Sequence, residues 1–143
     1  MSVYTVSELQ KSDYYHGFLQ LLEQLTTVCA NEITYQAFSD QFDKFKSKVF
    51  VVKENGQVIG TAALLVEEKF IHKLASVGHI EDVVVSQEYR DKGIGKLLIN
   101  HCVEYAKNNG CYKVILNCAE KNIEFYKKCG FTNKNVEMSI YLH

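Results

Sequence analysis

Two glycines and three cations gather in one short stretch, Arg90-Asp91-Lys92-Gly93-Ile94-Gly95-Lys96, soon after the apolar run Val83-Val84-Val85. The pattern predicts a strand that turns into a helix beginning near Gly93. The first turn of a helix leaves amide N–H groups without intrahelical acceptors, and its aligned peptide dipoles put partial positive charge there. Gly93 and Gly95 carry no Cβ, so the backbone turns freely and an anion can approach those N–H groups. Arg90, Lys92 and Lys96 add full charges around them. Such a stretch can hold phosphate; it also fits an ordinary strand-to-helix connection with a solvated charge run.

Two phosphate motifs are excluded by inspection. A Walker loop needs a glycine five residues before its Gly-Lys pair and a Ser or Thr after it, where Arg90 and Leu97 stand. A dinucleotide fingerprint needs a small residue at the position of Leu98.

The elements that must position this loop follow from hydrophobic spacing. Ser12 or Asp13 can cap a helix with apolar Tyr14, Phe18, Leu21, Leu22, Leu25 and Val28, and a second amphipathic segment carries Tyr35, Phe38, Phe42 and Phe45. Asn55-Gly56 lies between the apolar runs 49–52 and 58–66 and predicts a hairpin with a tight primed turn. A strand over 78–85, a helix from Gly93 to about Gly110, a strand over 112–116, a helix over 122–128 and a last strand over 136–141 complete the order. The whole chain, residues 1–143, reads as a single mixed α/β domain.

Composition narrows the function class. A net charge of −1 leaves no basic footprint for nucleic acid, and no apolar run approaches the ~20 residues that span a bilayer. The first residues lack a basic region followed by a long apolar stretch, so a cytoplasmic protein is expected. Cys29, Cys102, Cys111, Cys118 and Cys129 are odd in number and never form Cys-x-x-Cys, which argues for core thiols over a disulfide framework or a metal site.

The order of elements, with Arg-x-x-Gly-x-Gly opening the helix after the central strand, resembles the GNAT superfamily of acetyl-CoA-dependent N-acetyltransferases. Gly78-His79-Ile80-Glu81-Asp82, the segment 110–116, Glu120-Lys121-Asn122, the segment 125–131 and Val136-Glu137-Met138 are similar to the glucosamine 6-phosphate N-acetyltransferase family, densely so from about residue 69 to 138. The resemblance implies a mixed, mostly antiparallel sheet flanked by helices, and acetyl transfer to the amine of D-glucosamine 6-phosphate in a ternary complex. It implies acetyl-CoA contacts at Val83, Val84, Val85, Arg90, Asp91, Lys92, Gly93, Ile94, Gly95, Lys96, Asn122, Tyr126 and Lys128. It further implies sugar-phosphate contacts at Thr26, Lys69, Phe70, Ile71, His72, Glu81, Asp82, Val83, Tyr112, Lys113 and Asn117, and a homodimer in which the C-terminal strand crosses or lines the interface.

Within that resemblance Tyr126 is the candidate proton donor to the departing thiolate, while the residue pattern alone fits a core tyrosine equally well. Glu81 and Asp82 should point to opposite faces of their strand, so only one can meet substrate. Asn117 stands where the family usually has Asp, and an amide cannot accept a proton at working pH. The tail ends Tyr141-Leu142-His143, where relatives tend to carry basic residues. A GNAT enzyme for another small amine, and a CoA-binding domain without catalysis, stay open as alternatives.

Overall fold

The computed structural model describes residues 3–143. A short first strand β1 (Val6–Glu8) is followed by helices α1 (Phe18–Leu22) and α2 (Tyr35–Lys44), then strands β2 (Lys48–Glu54) and β3 (Gln57–Glu67). A four-residue turn α3 (Ile71–Leu74) leads to strand β4 (Ser76–Val85), helix α4 (Ile94–Asn108), strand β5 (Cys111–Leu116) and helix α5 (Ile123–Lys128). The five strands form one sheet in sequence order, and every pairing is antiparallel except β4 with β5.

Both faces of the sheet are covered, which strand alternation makes possible. Phe50 and Val52 pack with Leu64, Ile80 and the α4 residues Ile94, Leu98, Ile99 and Cys102. Between Phe50 and Val52, Val51 turns to the other face and meets Phe18, Leu19 and Leu21 of α1 and Phe38 of α2. Leu98 and Ile99 are fully buried, and each such side chain contributes about 1.5–3 kcal/mol. These contacts seat α4 firmly, so its first turn is held rigidly beside the end of β4. Burial also pushes the Cys102 thiol up to about 12, so it stays protonated as a core group.

The hairpin forms as the Asn-Gly pair predicts, with Asn55 at φ 52° and Gly56 at φ 77°. Elsewhere the structure corrects the expected outline. The first helix breaks at Gly17 (φ 84°) into a 3₁₀ turn over Lys11–His16 and the short α1. Asp13 does not sit at its N-cap position; its buried carboxylate accepts from the Gln10 N–H (2.8 Å) and lies 2.6 Å from Lys53 Nζ. Of the five thiols only that of Cys102 is buried, and Cys29 and Cys118 are exposed. The expected last strand is absent: residues 132–143 carry no regular structure and lie in solvent, Met138 at 92% and Tyr141 at 90% exposure. A strand needs a neighbour to pair with, and among the described residues no strand pairs with this segment.

Candidate functional site

The cation-rich loop is built from the end of β4. Ser86 N–H donates to Ile59 O (2.8 Å), Tyr89 N–H closes a 3₁₀ turn on Ser86 O (2.9 Å), and Arg90 Nε reaches back to Val85 O (3.2 Å). Asp91 (φ 65°) and Gly93 (φ 82°) then take the left-handed turns that aim the chain into α4. No side chain caps α4, whose first turn carries Lys96 and begins just after Lys92. The Ile94 side chain is buried in the core, so only its backbone is available there.

Gly95 has a second use beside the one its spacing suggests. A Cβ on it would lie 3.1 Å from Phe125 Cζ, so the missing side chain admits α5 against the start of α4. Gly95→Val is expected to push α5 away and to destabilise the chain by about 1–3 kcal/mol, read as a lower melting temperature together with weaker acetyl-CoA binding.

Between β4 and β5 the sheet opens. Their pairing runs from Ser76↔Cys111 to Ile80↔Leu116 and stops, although β4 continues to Val85 against β3. Along Glu81–Val85 the backbone groups that face away from β3 therefore have no strand partner, and an unpaired N–H or C=O seeks one. A bulge adds to this: Thr61 faces Val84 and Ala63 faces Glu81, so Asp82 and Val83 together oppose Ala62. Asp82 sits at φ 52°, and the bulge overrides the expected alternation of the two acids. Glu81 and Asp82 are both exposed, Val83 and Val85 lean on the α4 side, and Val84 is buried on the α1 side.

The register puts Asn117, just past Leu116, level with Glu81 at the mouth of this opening. Tyr126 approaches from α5, half-buried, with its ring edge-on to Phe125 (4.9 Å) and Phe131 (6.1 Å). Burial, with smaller contributions from Cys118 and Cys129, pushes its phenol up to about 12. Asn122 stands exposed at the start of α5, its N–H donating to Ala119 O (2.9 Å), and Lys128 is exposed in the last turn. Among the described residues no group of three or more His, Cys, Asp or Glu side chains is placed to hold a metal ion.

The expected sugar-phosphate residues fall into two groups. Thr26 is exposed in the loop after α1, and that loop is tied to the end of β4 where Gln87 N–H donates to Gln24 Oε1 (2.9 Å). Asp82 lines an apolar cavity of about 420 Å³ with Leu19 and Leu22 of α1. The second group lies at the opposite end of β4. His72 stacks on Tyr112 (4.0 Å between centroids), with Lys113 Nζ 5.6 Å above the same ring. Lys69 is 3.8 Å from Glu67, and Phe70 and Ile71 are exposed. Because Val77 faces Lys113 and Ser76 faces Cys111, this group is separated from Glu81 by about 13–17 Å at about 3.3 Å per residue. Glu81, Asp82, Val83 and Asn117 share one place; Lys69, Phe70, Ile71, His72, Tyr112 and Lys113 share another.

An uncapped helix start after a central strand lies beside a parallel pair that parts halfway, an arrangement suited to a phosphate-bearing ligand. The acetyltransferase (GNAT) family model matches residues 6–131. Glucosamine 6-phosphate N-acetyltransferase of Arabidopsis thaliana is 37% identical over 145 residues, covering 96% of both chains, and that of Candida albicans is 37% identical, covering 94% and 93%. The crystal structure of the Arabidopsis enzyme superposes with a TM-score of 0.94 at 35% identity, covering 99% of this chain and 100% of that one. The chain thus belongs to the GNAT acetyltransferases, which use acetyl-CoA as co-substrate, and within them to the glucosamine 6-phosphate N-acetyltransferase family. No helix of the described residues is long and apolar enough to cross a membrane.

Proposed function

We propose that this single-domain chain acetylates the amine of D-glucosamine 6-phosphate with acetyl-CoA, by direct attack and without an acyl-enzyme. The observation that carries the proposal is the unpaired β4 segment Glu81–Val85, which leads from the cation-rich start of α4 to Asn117 and Tyr126. In this scheme the first-turn N–H groups from Gly93 to Lys96, with Arg90 and Lys92, hold the pyrophosphate, and Asp91 shapes the turn. The pantetheine amides pair with the free backbone edge at Val83 to Val85, as an added strand would. Asn122 and Lys128 flank the cofactor on α5.

The amine nitrogen attacks the thioester carbonyl carbon, a C–N bond forms, and the C–S bond breaks to release the CoA thiolate. Backbone N–H groups near Val83 stabilise the oxyanion, since donors fixed beforehand lower the barrier without reorganising. Glu81, exposed and level with the opening, takes the proton lost by the amine, directly or through water. Asn117 binds and orients the acceptor and cannot take the proton itself. Asn117→Asp is expected to raise turnover, measured as initial rate at saturating acetyl-CoA; an unchanged rate would mean that the second carboxylate is dispensable here.

A homodimer completes the scheme. One chain separates the His72–Tyr112–Lys113 group from Glu81 and Asn117, and a second copy can bring its own group to the acceptor's phosphate. Charge-assisted contacts from Lys113 and His72 suit a phosphate dianion. The decisive assay is CoA thiol release with glucosamine 6-phosphate against plain glucosamine. A strong preference for the phosphosugar is expected, and equal rates would sink the phosphate assignment in favour of a transferase for another amine.

A further inference from the structure

We propose that Gln24 is a positioning residue through which the cofactor loop sets the acceptor loop, a role that rests on the assignment of acetyl-CoA to 90–96 and of the phosphosugar to Thr26. Two adjacent residues at the end of α1 do separate jobs. Glu23 Oε2 accepts from Ala30 N–H (2.9 Å) and so closes the loop 23–30 on itself. Gln24 Oε1 accepts from Gln87 N–H (2.9 Å), a residue 63 positions away in the turn that runs into Arg90. The first bond gives the loop its shape, and the second fixes where that shape stands relative to the end of β4.

The dependence is one-sided. The turn after β4 keeps its form without Gln24, through Ser86 N–H on Ile59 O, Tyr89 N–H on Ser86 O, and Arg90 Nε on Val85 O. Thr26, two residues beyond Gln24, has no comparable support: its loop is exposed from Glu23 to Thr27, and its own N–H bonds only to Leu22 O (3.1 Å) within the end of α1. Within the loop Cys29 also holds φ 59°, a left-handed conformation that costs a non-glycine residue on the order of 1–2 kcal/mol. A loop held in such a state returns to other conformations when its anchor is lost. The turn that carries Gln87, held by its own bonds, sets the place of Thr26 through Gln24.

The test is Gln24→Ala beside Gln24→Glu in the full-length chain, with acetyl-CoA affinity from calorimetry and steady-state kinetics on glucosamine 6-phosphate. For Gln24→Ala the KM for the phosphosugar should rise about three- to tenfold, the worth of one hydrogen bond, with the acetyl-CoA dissociation constant unchanged. Gln24→Glu keeps an acceptor oxygen on the same stem and should restore the wild-type KM. Combining Gln24→Ala with Thr26→Ala should add little to Thr26→Ala alone, since residues acting as a unit are not additive. A purely structural role would instead lower the melting temperature and impair both substrates together, and that result overturns the proposal. If wild-type protein acetylates glucosamine 6-phosphate and Gln24→Ala is kinetically unchanged, the positioning role alone falls. If wild-type protein releases CoA with other amines but not with this sugar, the functional assignment falls and takes this role with it.

Discussion

Replacing Tyr126 with Phe is expected to lower kcat by about 10²-fold, the usual worth of one fixed hydrogen-bond donor to developing charge, with acetyl-CoA binding intact. The ring stays edge-on to Phe125 and Phe131, so packing survives and only the hydroxyl is lost. The phenol is pushed up to about 12 by burial and by the nearby thiols Cys118 and Cys129. An ordinary thiol titrates near about 8.5, so the CoA thiolate is the weaker base and Tyr126 keeps its proton, steadying the sulfur by a hydrogen bond. The sign of the pH dependence follows. Below its pKa the phenol is protonated, hence competent, and the acceptor amine becomes neutral as pH rises. The wild-type kcat/KM should therefore climb through the amine's pKa and show no alkaline fall until the phenol titrates near 12. A descending limb at lower pH that disappears in Tyr126→Phe would show that the hydroxyl has an ordinary pKa and surrenders its proton outright.

The parts of this fold that could be read from the chain are those whose determinants are local. Asn55-Gly56 tolerates positive φ and sits between two apolar runs, so the hairpin needs nothing distant to form. The α4 stripe of Leu98, Cys102 and Ala106 repeats at helical spacing and is buried as expected. The bulge is another matter, because Asp82 at φ 52° is held by the offset between β3 and β4 and leaves no mark in the order of residues. Simple alternation therefore does not hold across Glu81 and Asp82. The first helix departs for the opposite reason: Gly17 is a local signal, yet the apolar spacing on either side of it runs straight through the break.

The site divides in the same way. The proposed anion cradle occupies seven consecutive residues, so residue type and spacing point to it before any contact is known. Gln24 carries no such signal, since its worth lies in a bond to Gln87. Gly95 also makes room for Phe125, a contact between helices that spacing cannot reveal. The family resemblance named His72, Tyr112 and Lys113 alongside Glu81 without indicating that β4 separates them.

That separation motivates the largest expected effect. Deleting residues 132–143 should yield a monomer by sedimentation and lower kcat/KM for glucosamine 6-phosphate by about 10²–10⁴-fold, two lost charge-assisted bonds at about 1.5–3 kcal/mol each, while acetyl-CoA still binds. The tail has the pattern of a strand. Val136, Met138, Ile140 and Leu142 alternate with Glu137, Ser139 and Tyr141, and all the large apolar members are bare in one chain. The outer edge of β5 is also without a neighbour in the sheet, and an open edge beside an unpaired alternating segment invites exchange between copies. A mixing experiment separates a shared site from a self-contained one. Chains carrying Lys113→Ala and chains carrying Tyr126→Phe are each expected to be nearly inactive. Unfolded together and refolded at equal concentration, half of the dimers are mixed, and in a two-fold assembly each mixed dimer has one site with Lys113 of the partner subunit and Tyr126 both intact. About a quarter of wild-type activity should return. If Lys113 serves the site of its own chain, no combination repairs any site, and the mixture stays as inactive as its components.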